Sequence, residues 1–277
     1  MIKDIVFHLT VGTTRDAATD YALSVAEAFG AHLAGVAFAY EPVLPATMMG
    51  GGLPVDFIEA QRAAAEQAAG VAIAKLDVAA RRAGISVESR LISTSLAGAA
   101  DLFGHIARRF DLSIVGQADP DALGPQELII EAALFQSGRP ILVVPYIQKS
   151  GLTLERVLVC WDASRNAARA IADAMPFLAR AKAIDVVVVA TERLKSDELP
   201  GADIAHHLAR HNLKIELKRI VSGGTDVAST ILSYAADTSA DFIVMGGYGH
   251  SRLREFVLGG ATRGILSSMT VPALMSH

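Results

Sequence analysis

The chain has 277 residues, 52% hydrophobic and 19% charged, which is material for one large core or two small ones and excludes a disordered chain. Its 25 Lys and Arg against 29 Asp and Glu leave a formal net charge of −4, without the cationic excess of a protein that grips nucleic acid non-specifically. Mean hydropathy is high at +0.37, yet apolar runs such as Ile184–Ala190 and Ile141–Val144 fall well short of the roughly 20 residues that span a bilayer, so no membrane role is expected.

The first residues, Met1-Ile2-Lys3-Asp4, lead directly into a strand-like run without the ordered regions of a leader. Strands are expected near Asp4–Thr10, His32–Tyr40, Ser86–Ile92, Asp111–Gly116 and Ile141–Pro145. They are expected again near Glu155–Trp161, Ile184–Thr191, Lys214–Ile220, Phe242–Met245 and Val271–Met275. Between them lie helical patterns at Arg15–Phe29, Asp56–Arg82, Leu96–Arg109 and Gln126–Gln136, then Arg165–Ala179, Ile204–His211, Asp226–Ala236 and Thr262–Ser268. Strand and helix in alternation predict an α/β fold with a mostly parallel sheet.

Five strands occur twice, and the copies superpose residue by residue. Ile5–Thr10 lies over Val157–Asp162, Arg82–Val87 over Arg210–Ile215, and Asp111–Gly116 over Asp241–Gly246. The spacing shortens after the first pair, so the first copy carries an insertion. Glu41-Pro42 through Gly50-Gly51-Gly52-Leu53-Pro54 has the punctuation of that long loop. The polar joint at Ile147–Gly151 predicts one domain over residues 1–149 and a second over 150–277.

In an open α/β sheet, function is expected at the carboxyl ends of strands flanking the reversal of strand order. The first strand of the second copy ends in Trp161-Asp162-Ala163-Ser164. Asp162 either contacts a ligand's ribose or base, or caps the helix that follows. The fourth strand ends in Met245-Gly246-Gly247-Tyr248-Gly249-His250 and runs on to Gly259-Gly260-Ala261-Thr262. Two glycine clusters between a strand and a helix let backbone N–H groups approach an anion, and the helix N-terminus adds its dipole. His250, Arg252, Arg254 and Arg263 make the neighbourhood cationic. The alternative is a compact turn that binds nothing.

These residues resemble the universal stress protein family, in its tandem two-domain form, over the whole chain. Gly246-x2-Gly249-x9-Gly259 reproduces the glycine spacing of the family's nucleotide-binding members; Gly260 stands where they carry Ser or Thr, and Asp162-Ala163-Ser164 stands where Asp-Gly-Ser is common. The resemblance implies a five-stranded parallel sheet in the order 3-2-1-4-5 for each copy. It implies an adenine pocket walled by Met245 and a second-strand residue, Val189 or Ala190, with Asp162 and Ala163 beside it. Amides of Gly246, Gly249, Gly259, Gly260, Ala261 and Thr262, with His250 nearby, would meet the phosphates of ATP, accompanied by Mg²⁺ without dedicated protein ligands. The fourth and fifth strands of such domains commonly pair domains, and a homodimer of tandem chains is a further expectation.

The first copy departs from the motif. Thr10 replaces the Asp, and Gly116-Gln117-Ala118-Asp119-Pro120-Asp121 replaces the glycine turn, with two carboxylates that repel a phosphate and a proline that lacks a donor. It is expected to have lost ATP. No Walker pattern, nucleophile elbow or general base beside the glycines is present, so no catalysis beyond slow ATP hydrolysis is expected. His207 and His211, one helical turn apart, read as a solvated face rather than a metal site. Cys160 reads as packing, and as the one cysteine it fits a reducing cytoplasm. The long helix around Ala60–Ala80 is nearly free of bulky residues and either lies against the insertion or a partner or reflects helix propensity alone. The functional expectation is a cytoplasmic stress-response regulator that binds an adenine nucleotide and acts through an unidentified protein partner. The alternative is a scaffold that binds no nucleotide, with Gly260 marking decay of the site.

Overall fold

The computed structural model describes residues 1–12, 16–41, 55–118, 125–190, 201–247 and 260–277. They divide into two compact units, one of Ile2–Arg139 with Lys149–Gly151, the other of Pro140–Gln148 with Leu152–His277.

In the first unit β1 (Asp4–Leu9), α1 (Ala17–Phe29), β2 (His32–Tyr40), α2 (Val55–Ala83), β3 (Val87–Thr94), α3 (Leu96–Ala107), β4 (Leu112–Gly116) and α4 (Gln126–Gln136) follow one another. The strands run parallel in the order β3-β2-β1-β4. Near-continuous apolar sequences such as DIVFHL and HLAGVAFAY are buried along almost their whole length, as a sheet covered on both faces requires. α1 starts two residues later than its pattern begins because Asp16 is its N-cap, accepting from the Ala18 N–H.

The second unit contains β5 (Ile141–Val144), β6 (Arg156–Cys160), α5 (Arg165–Leu178), β7 (Ala183–Ala190), α6 (Ala202–Arg210), β8 (Ile215–Val221), α7 (Val227–Asp237), β9 (Phe242–Gly246), α8 (Gly260–Ser268) and β10 (Ala273–Ser276). Its parallel strands follow β8-β7-β6-β9-β10, the expected 3-2-1-4-5. β5, the last strand of the first sequence copy, runs antiparallel to β10, with Val143 opposite Ala273 and Ile141 opposite Met275. Phe177 of α5 stacks on Phe242 of β9 at 5.0 Å in the core.

The repeat has a physical anchor in each unit. Asp111, just before β4, accepts from the Lys3 and Asp4 N–H groups at 2.8 and 3.2 Å, and its own N–H donates to the Asp4 carbonyl. Asp241 does the same for Glu155 and Arg156, again at 2.8 and 3.2 Å, and its N–H donates to the Arg156 carbonyl. An aspartate at this place locks the amino ends of the two central strands in register. The second unit adds an ion pair at the same end, its carboxylate buried and its guanidinium partly exposed. Asp185, fully buried on β7, accepts from Arg156 Nη1 with both oxygens at 3.0 Å and from the Tyr234 hydroxyl at 3.1 Å. That carboxylate is paired and hydrogen-bonded, as burial demands.

Candidate functional site

β6 is flanked by β7 on one side and β9 on the other, so the order reverses at β6 and the carboxyl ends of β6 and β9 lie side by side, Val159 pairing with Val244. Asp162 is exposed at the β6 exit, and its Oδ1 accepts from the Ser164 N–H at 3.0 Å. The helix cap is Ser164, whose hydroxyl oxygen accepts from the Ala167 N–H at 3.1 Å. Asp162 therefore shapes the turn ahead of α5 rather than capping it.

Ala163 between them has φ +60, a left-handed conformation that costs an L side chain about 1–2 kcal/mol. Glycine at this position would avoid the strain. Ala163→Gly, after the larger unfolded-state entropy of glycine is subtracted, is expected to stabilise the protein by about 0.5–1 kcal/mol, a rise of roughly 2 °C in Tm. A calorimetric scan showing no rise would disprove the strain.

Met245, at 5% exposure, ends the buried part of β9, and Gly246 follows it. A Cβ on Gly246 would stand 2.6 Å from the Ala167 nitrogen and 2.8 Å from the Asn166 carbonyl carbon. The strand end lies against the backbone of the first turn of α5, a contact only glycine permits. Asn166 is the residue that sequence reasoning missed. It is buried, and its Nδ2 donates to the Gly247 carbonyl at 2.7 Å and stands 3.0 Å from His277 Nδ1, tying α5 to the chain that leaves β9. The only signal for it was a polar side chain in the first turn of a helix, which usually reads as solvated.

On the other wall, Val189 is half-buried near the end of β7. Gly260, Ala261 and Thr262 open α8, where N–H groups lack intrahelical acceptors. Gly260 is exposed and Ala261 partly so, while Thr262 is buried at 3% exposure. The open amides are thus those of Gly260 and Ala261, and the Thr262 hydroxyl is no substitute for a Ser or Thr at 260. Among the described residues nothing lies within 4 Å of a Cβ placed on Gly260. Gly249, His250 and Gly259 lie outside the described residues. Burial, and next the Asp162 charge, push the Cys160 thiol up to about 12, leaving it protonated at neutral pH and unsuited to thiolate chemistry.

The equivalent place in the first unit is built differently. The Thr10 N–H donates to Asp16 Oδ2 at 3.1 Å, so the end of β1 is tied to the N-cap of α1. A Cβ on Gly116 would meet Ala18 Cβ at 3.6 Å and Thr10 Oγ1 at 3.8 Å, ordinary contact distances. Asp119, Pro120 and Asp121 lie outside the described residues. The rings of His207 and His211 are 4.9 Å apart on α6, and no group of three or more metal-ligating side chains occurs among the described residues. No helix among the described residues is long and apolar enough to cross a membrane.

Residues 153–277 match the model of the universal stress protein family. The chain is similar to the universal stress protein Slr1230 of a Synechocystis species, 25% identical over 174 residues, which is 60% of this chain and 57% of that relative's length. The fold is similar to the crystal structure of a universal stress protein from Archaeoglobus fulgidus, with TM-score 0.69, 15% identity, and 98% of this chain and 95% of that one covered. It is also similar to the functionally unknown protein PA1789 from Pseudomonas aeruginosa, with TM-score 0.62, 15% identity, and 99% and 92% covered.

Proposed function

We propose that the chain, whose residues 153–277 match the universal stress protein family model, is a member of that family in its two-unit form and that its second unit binds an adenine nucleotide, ATP above all. Occupancy would alter the protein's conformation, or its choice of protein partner, during a cytoplasmic stress response. The observation that carries the reading is the junction of β6 and β9, where an exposed carboxylate, a glycine pressed on the head of α5 and the open amides of α8 belong to one unit.

Met245 and Val189 would flank the base. Asp162, with Oδ1 engaged by Ser164, would accept a ribose or ring N–H or O–H through its other oxygen. The amides of Gly246, Gly249, Gly259, Gly260 and Ala261 would hold phosphates, with His250 adding charge and Mg²⁺ carried in by the nucleotide. No residue in this set serves as a general base, so the binding state itself is the signal. The first unit, with Thr10 tied to Asp16 and carboxylates at 119 and 121, takes no nucleotide in this reading.

Trp161, the one tryptophan in the chain, adjoins Asp162 and supplies the readout. Titration with Mg-ATP is expected to give a saturable change in its emission, matched by heat in calorimetry. Asp162→Ala should weaken binding at least tenfold. Gly260→Ser should strengthen it several-fold by returning a hydroxyl donor to the phosphates. If millimolar Mg-ATP produces neither heat nor emission change in the parent or in Gly260→Ser, the protein is a scaffold that works without nucleotide.

A further inference from the structure

The first unit carries a hollow of about 650 Å³ where the carboxyl end of β1 and the first turn of α1 face the middle of α2. Its α2 wall is one helical stripe with steps of three and four residues, including Ala68, Val71, Ala72 and Leu76. Leu76 is fully buried and forms the floor, its Cδ2 only 2.6 Å from where a Cβ on Gly35 of β2 would stand. The alanines above it leave space that larger side chains would fill. Val71, at 50% exposure, marks the mouth.

The polar part of the lining sets the chemistry. Thr10, Asp20, Gln67 and Lys75 offer hydroxyl, carboxylate, amide and ammonium groups. Asp16 also borders the hollow, but its oxygens accept from the Thr10 and Ala18 N–H groups and the Thr19 hydroxyl, so it is engaged by its own loop. Among the described lining residues two carboxylates stand against one ammonium, which gives an anionic ligand no cationic excess. The second unit carries a larger side chain at the position of Leu9. Leu9 superposes in the repeat on Trp161, whose Cδ1 lies 3.6 Å from where a Cβ on Gly201, at the head of α6, would stand.

From this volume, within the range of small-molecule sites, and from this lining, we infer that the first unit binds an uncharged amphipathic small molecule. Its apolar body lies along the alanine face of α2, and its hydrogen-bonding edge turns to Thr10 and Gln67. The site is independent of the β6–β9 junction and of whether that junction takes a nucleotide.

Two dyes with the same rings test this. N-phenyl-1-naphthylamine is uncharged and brightens out of water; 8-anilinonaphthalene-1-sulfonate adds a sulfonate. The full-length protein is expected to bind one equivalent of the uncharged dye, and the sulfonate at least tenfold more weakly. Ala72→Phe should fill the hollow and reduce dye affinity at least tenfold. Val71→Glu, at an exposed position that does not threaten folding, should do the same by placing a carboxylate at the mouth. Saturating Mg-ATP should leave the dye bound. Equal affinity for both dyes, unchanged binding in the folded Val71→Glu protein, or displacement by Mg-ATP would each overturn the assignment.

Discussion

Gly246→Ala is expected to destabilise the protein by about 3 kcal/mol, at the upper end of what overpacking costs, while Gly116→Ala at the equivalent position of the first unit changes stability by less than 1 kcal/mol. Both glycines end the fourth strand of their copy, at equivalent positions of the repeat. The added carbon at 246 lands 2.6 Å from the Ala167 nitrogen and 3.0 Å from Asn166 Cβ. These atoms belong to a helix turn held by the Ser164 cap and by Asn166 on the Gly247 carbonyl, so they cannot swing aside as a side-chain tip would. At 116 the nearest atoms of the described residues are 3.6 and 3.8 Å away, an ordinary packing distance. Urea unfolding of the two variants beside the parent checks the contrast; equal midpoint shifts would refute it. In the nucleotide reading Gly246→Ala also loses ATP, because α5 must retreat from the strand end that carries the amide.

The second large effect is a loss of stability in mild acid that originates at His8. This side chain sits on β1 at 1% exposure, stacked on Phe38 at 5.9 Å and edge-on to Phe103 at 6.0 Å. Its Nε2 is 3.3 Å from the Tyr40 hydroxyl, and its Nδ1 has no hydrogen-bond partner among the described residues. Burial lowers its pKa from 6.5 to about 4. The unfolded chain therefore takes up a proton below pH 6.5 that the folded chain refuses until pH 4. The stabilisation is whole above pH 6.5 and is lost as pH falls towards 4, by roughly 3 kcal/mol in all. Carboxylates titrate at the acid end of this range, so the measurement is a difference. Stability against pH is recorded for the parent and for His8→Leu, and the parent is expected to fall more steeply between pH 6.5 and 4. Parallel curves would show that His8 does not titrate as its burial requires.

Much of the fold is legible in the residues because it rests on local rules. The apolar runs that became β1, β2, β6 and β9 are buried on both faces, and such strands announce themselves by composition alone. The repeat was legible for a related reason. Asp111 and Asp241 recur because each bridges the amino ends of two strands, so the spacing carries the geometry with it. Helix starts were less legible. α1 waits for its Asp16 cap, and α8 begins at Gly260, two residues ahead of the pattern, because glycine and alanine there contribute backbone but no periodicity. The candidate site was read from glycine spacing and Asp162, whereas Asn166 could not be found, because its partner, the Gly247 carbonyl, is 81 residues away.

The sequence by itself determined the α/β class, the doubling and the asymmetry between the glycine-rich turn of the second copy and the acidic turn of the first. Those properties follow from side-chain period, from repeated motifs and from charge, all written along the chain. The tertiary structure alone decided that β5 pairs antiparallel with β10, that Gly246 is required by a backbone contact while Gly116 is not, and that the alanine stripe of α2 borders a hollow. Each depends on which atoms of distant segments approach within a few ångströms. Composition and spacing do not encode that distance, and there a single carbon changes a contact into a clash or a side chain into a space.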